Sequence, residues 1–224
     1  MRAIYGVLFA FALSVAAPSQ ETTQVASRGA VITYAYENAN LVPPRYLLSV
    51  REDGTGTYES PDGIVTGAAA GHGKPFKQEI TISPATLHMM FSVAREHKLF
   101  NVGCEATGVG RIAFQGKKVL GYEGTDGKGS CTFNYSKIKQ IQQLSDTLQS
   151  IASALEIGHH LEVDHQYDRL SLDADLASLA ESVSLGRALE LQNIRTTLQE
   201  IASDPGVLNR ARQRATVLLN GGQH

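Results

Sequence analysis

The chain has 224 residues, with 20 Lys and Arg against 22 Asp and Glu and a formal net charge of −2 at pH 7. Charge this nearly balanced, with no clustered basic stretch, excludes nucleic acid as a partner, because displacing phosphate counterions needs a concentrated cationic surface; it argues equally against adhesion to anionic lipid. The length suffices for one large or two small domains with buried cores.

Arg2, the apolar run Ala3 to Ala12 and the small residues Ser14-Val15-Ala16-Ala17 have the order of a cleavable secretory signal over residues 1–17. Pro18, Ser19 and Gln20 break the run short of the roughly 20 apolar residues of a membrane span. No later run is as long, so no transmembrane segment is expected after cleavage. The mature protein is therefore expected to be periplasmic or secreted, with residues 18–30 as a disordered lead.

Val31 to Tyr36 alternates β-branched and aromatic residues, which favours a strand, and Asn38 to Pro44 ends it. Tyr46, Leu48 and Val50 share one face of a second strand. Asp53-Gly54 then supplies a tight hairpin turn, with Thr55 to Glu59 returning. Ser60 to Lys74 is rich in Gly and Ala and reads as a flexible loop. Gln78, Ile80 and Ile82 resume the alternation, and Ser83-Pro84 opens a helix expected to run to His97. Three antiparallel strands are expected at Arg111 to Gln115, Lys118 to Glu123 and Ser130 to Tyr135.

The clearest helix follows. Ile138, Ile141, Leu144, Leu148, Ile151 and Leu155 recur three and four apart and form one stripe, with Ser136 as its expected cap and Gly158 as its expected end. Beyond it, Leu172 to Val183, Leu191 to Ile201 and Leu208 to Leu218 carry three short helical patterns. Six acidic residues between Glu162 and Glu181 face the prospect of pairing with Arg210, Arg212 and Arg214.

Cys104 and Cys131 are the two cysteines of the chain. In an exported protein such a pair is expected to form a disulfide. A redox role would call for C-x-x-C spacing, which is lacking. His159, His160, Glu162, Asp164 and His165 make the densest set of metal-ligand types, and His160 and Asp164 would share a helix face at i, i+4. Imidazole with carboxylate suits zinc or a similar divalent ion, so His160, Asp164 and His165 are the candidate metal ligands. The stricter H-E-x-x-H spacing is lacking, and a solvated junction between helices is the competing reading. Gly71-His72-Gly73-Lys74 departs from the phosphate-loop pattern, Ser136 to Lys139 has S-x-x-K without a later K-T-G, and Asp173 and Asp175 open like a calcium loop without its Gly and Glu.

Arg111 to Lys118, Gly129 to Ser136, the long helix and Tyr167-Asp168-Arg169-Leu170 before a helical tail resemble an uncharacterised family of exported bacterial proteins with no known activity. That resemblance implies an extracytoplasmic protein and no particular reaction.

The expected fold is α+β: an antiparallel sheet packed on two helices over residues 31–158, then a helical C-terminal unit over 159–224. With no complete catalytic motif, the expected function is a non-enzymatic binding or interaction module of the cell envelope, needing no cofactor. Its partner would be another protein or an envelope component, met by the helical unit or the Gly-rich loop. The alternative is a metal-binding protein or metal-dependent hydrolase built on His159 to His165.

Overall fold

The computed structural model describes residues 29–61, 75–107 and 112–221. The expected signal, all but the last two residues of the lead, and Gly71 to Lys74 lie outside them. Six strands, β1 (Val31–Glu37), β2 (Arg45–Arg51), β3 (Thr55–Ser60), β4 (Phe76–Thr81), β5 (Lys117–Gly124) and β6 (Gly127–Phe133), form one antiparallel sheet in the order β4-β3-β2-β1-β5-β6. Five α-helices lie among the described residues: α1 (Pro84–Glu96), α2 (Lys139–Tyr167), α3 (Leu172–Ser184), α4 (Arg195–Ser203) and α5 (Asn209–Gly221). This is the α+β architecture that the alternation and the helical stripes predict.

Strand alternation gives the sheet two different faces. Ile32, Tyr34, Leu48, Val50, Tyr58, Ile80, Leu120, Cys131 and Phe133 point inward and are buried under α1 and the first half of α2. Cys104 and Cys131 are joined by a disulfide, with their Cα atoms 5.8 Å apart. The 27-residue separation corresponds to a loop-closure contribution of about 3 to 4 kcal/mol. No helix among the described residues is long and apolar enough to cross a membrane.

Two local expectations are corrected. Residues 112–116 form no strand, because both neighbours of β5 are already taken by β1 and β6. Side chains serve that backbone instead: Asn134 Oδ1 accepts from Gln115 N, Asn134 Nδ2 donates to Ala113 O, and Tyr36 Oη donates to Gln115 O. Gly158 does not end α2, which runs nine residues further to Tyr167.

The continuation of α2 joins the sheet domain to the helical unit. Ile141, Leu144, Leu148, Ile151 and Leu155 belong to the core under the sheet, whereas Ala154 and Leu161 belong to a second core with Leu172, Leu176, Leu179, Ile194, Leu198, Ile201, Ala211 and Ala215. Arg210 and Arg214 both pair with Asp173 across α5 and α3, whereas Arg212 makes no ion pair among the described residues.

Gly158 lets the two halves meet, since a Cβ there would lie 2.1 Å from Ile194 Cγ2. Helix propensity favours Ala over Gly by about 1 kcal/mol, but overpacking a core contact costs about 1 to 3 kcal/mol. Urea unfolding of Gly158→Ala is expected to show a net loss of about 1 to 2 kcal/mol. In an Ile194→Ala background the same change should become neutral or stabilising; equal losses in both backgrounds would refute this contact as the cause.

Candidate functional site

Glu156, His160 and Asp164 follow one another at intervals of four along α2 and so line one side of it. Glu156 is 3 % exposed. Its Oε1 accepts from Tyr58 Oη at 2.6 Å and from Ser60 Oγ at 2.8 Å, both on β3. Burial, reinforced by the Glu156 charge, holds the Tyr58 phenol far above its ordinary range. Three residues on, the His159 ring stacks on Phe76 of β4 at 4.1 Å between centroids. Earlier in the helix Ser145 bonds to Tyr34 Oη of β1 at 2.9 Å. α2 therefore crosses the sheet obliquely from β1 to β4, above tyrosines 34, 36, 46 and 58. A cavity of about 250 Å³ opens beside Glu156, between α2 and Leu41-Val42-Pro43.

One turn beyond Glu156, His160 Nε2 lies 3.3 Å from Asp164 Oδ2. Asp175 of α3 completes a group whose ligand-type atoms all lie within 4.8 Å of one another. Burial and the neighbouring Asp175 carboxyl push the Asp164 carboxyl up to about 6, against the pull of His160. His165 is placed elsewhere: its Nε2 meets Asp204 Oδ2 at 2.9 Å, and Arg169 joins the same carboxylate. His159 faces Glu162 at 3.9 Å as well as Phe76. Of the three candidate ligands read from the sequence, two meet and the third pairs with another loop. Asp175 takes its place, from a position noted only as the opening of an incomplete calcium loop.

A second polar group ties the helical unit to the sheet edge. Glu190, in the left-handed region at φ 58°, accepts from Ser83 N at 2.8 Å, Ser83 Oγ at 2.7 Å, Thr86 Oγ1 and Gln192 Nε2. Ser83 thus serves Glu190 instead of capping α1 with its side chain. Asn193 presents its amide to edge strand β4 as another strand would: Oδ1 accepts from Thr81 N at 2.7 Å and Nδ2 donates to Thr81 O at 2.9 Å. Nothing in the apolar periodicity marks Glu190 or Asn193, since both act through the polar positions between helices.

Among the described residues, no helix packs on the outer face of the sheet. Strand pairing aligns Ser130, Gly121, Thr33, Ser49 and Thr57 in one row across five strands. The next row runs Thr132, Val119, Ala35, Leu47, Glu59, Lys77. Lys117, Glu37 and Arg45 close that side. Two concavities lie on this face, one of about 620 Å³ around Ala35, Leu47, Val119 and Lys77, the other of about 800 Å³ around Thr33, Gly121 and Ser130.

No protein-family model matches this chain, and no curated protein matches it.

Burial would raise the Glu190 carboxyl, but donors on Thr86, Gln192 and Ser83 outweigh it and hold the group below its ordinary 4.5. A depressed carboxylate contributes stability that is fully present above the unfolded value and is lost as pH falls through the lower folded one. Glu190→Gln is expected to cost about 1 to 2 kcal/mol at neutral pH, a charge-assisted hydrogen-bond value reduced for partial exposure. That deficit should shrink below about pH 4. Urea midpoints of both proteins across this range check it, and a pH-independent deficit would contradict it.

Proposed function

We propose that this protein is a non-enzymatic binding module of the bacterial cell envelope, acting in the periplasm or after secretion, and that it meets a protein partner through the outer face of its sheet. The single observation that carries the reading is the layout of that face. Val119, Ala35 and Leu47 form a short apolar row flanked by Lys117, Glu37, Arg45, Glu59 and Lys77. An apolar centre within a polar, charged rim is the anatomy of a protein interface. The disulfide accords with an oxidising compartment.

Size sets the kind of contact. Six strands about 4.8 Å apart and about six residues long present a face on the order of 500 Å². A standard stable complex buries about 800 Å² on each partner, so the sheet face alone supports a transient association. Leu47 is 41 % exposed at its centre. Charges of both signs alternate across the rim, which favours register and selectivity over adhesion to any one sign of charge.

A photo-crosslinking residue at Leu47, in the purified chain mixed with the envelope fraction of its own cells, is expected to give a discrete adduct. Ala35→Arg should suppress that adduct by at least about tenfold, the effect of losing one well-packed contact, with thermal unfolding unchanged. Equal adducts from a probe at Thr196, exposed on α4, or no adduct at Leu47, would overturn the proposal.

A further inference from the structure

We infer that His160, Asp164 and Asp175 form a divalent metal site that fastens α2 to α3. The three donors come from two helices, His160 and Asp164 one turn apart on α2 and Asp175 in the first turn of α3, with their ligand-type atoms within 4.8 Å of one another. Metal–ligand bonds of about 2.0 to 2.2 Å place donors around one ion roughly 3 to 3.5 Å apart, so closure needs shifts on the order of 1.5 Å. An ion there would have to draw the Asp164 and Asp175 carboxylates inward by that distance.

Two observations beyond the clustering point to a cation. Asp175 Oδ2 is enclosed and has no hydrogen-bond partner outside the cluster among the described residues, and its carboxyl lies against that of Asp164. An acceptor left so costs about 1 to 3 kcal/mol, more when charged. The cluster is also mostly acidic: the single imidazole of His160 faces the two carboxyl groups of Asp164 and Asp175. Asp173, on the same helix as Asp175, shows the contrast, since two arginines answer it.

The donor set selects the metal class. One imidazole nitrogen with two carboxylates suits zinc, manganese or cobalt, whereas calcium takes six to eight oxygens. The His160 side chain is 17 % exposed and that of Asp164 is 4 % exposed, so an ion would enter from the His160 side and keep room for water. The site goes beyond the proposed sheet-face contact and does not depend on it.

Cobalt(II) titration of the purified chain, followed by its visible absorption, tests the site, with zinc(II) as competitor. Saturation at one equivalent and displacement by zinc are expected. Asp175→Asn should weaken cobalt by at least about 100-fold, since even outer-shell changes cost 10- to 100-fold. His160→Gln should do the same from the other helix, so a folding defect in either variant leaves the other as the test. His165→Ala should leave the affinity unchanged, and zinc should raise the melting temperature of the parent chain but not of Asp175→Asn. Absent saturable binding, binding retained in Asp175→Asn and His160→Gln, or binding lost in His165→Ala would each overturn the inference.

Discussion

The length of α2 sets the architecture. Its 29 residues extend about 43 Å at 1.5 Å per residue, while six strands span about 24 Å. A helix that lies across the sheet must outrun it, and the apolar side of the overhang has to be covered by something else. α3, α4 and α5 do this, and the changeover is abrupt: Ala154 belongs to the helical core and Leu155 to the core under the sheet. The helical unit is therefore held by a rigid shared element, and the Gly158–Ile194 approach and the Glu190 contacts reinforce it.

Polar groups concentrate where the two cores meet, and they are satisfied to different degrees. A buried charge left without a partner costs about 3 to 5 kcal/mol, so each carboxylate near the junction needs an answer. Tyr58 and Ser60 donate to Glu156, Ser83, Thr86 and Gln192 donate to Glu190, and His165 with Arg169 meets Asp204. Asp164 and Asp175 differ in that each meets the other's carboxyl, with His160 of α2 3.3 Å from Asp164.

Much of the fold is legible in the sequence, because the inward residues of β1, β2 and β5 obey period two and those of α2 obey the 3-4 stripe. Asp53-Gly54 marks its hairpin, with Gly54 at φ 86°. The errors have a shared origin. Arg111 to Gln115 alternates as a strand should, yet a strand needs a free neighbour, and pairing vacancies are a property of the whole sheet. Gly158 has the local character of a helix end, but Ile194, 36 residues away, decides its role. The same limit governs the sites: His160 and Asp164 are local in sequence and readable, whereas Asp175 enters through the packing of α3 on α2, and His165, still on α2, turns to Asp204 at the end of α4.

Both edges of the sheet are occupied by other parts of the described chain. An exposed edge strand invites another strand to pair with it, and such pairing is a common mode of peptide recognition. Here β4 is blunted by the Asn193 amide on Thr81. β6 is flanked by the segment that follows α1, where Asn101 donates to Lys128 O and Ala106 N to Tyr135 O. Lys98, Leu99 and Phe100 all have positive φ in that segment, a costly conformation for residues other than glycine, and with it the chain is turned back against β6. Backbone strain is thus accepted to occupy an edge, while no described helix covers the outer face. With both edges occupied, what the described sheet presents is its outer face, with side chains at fixed register.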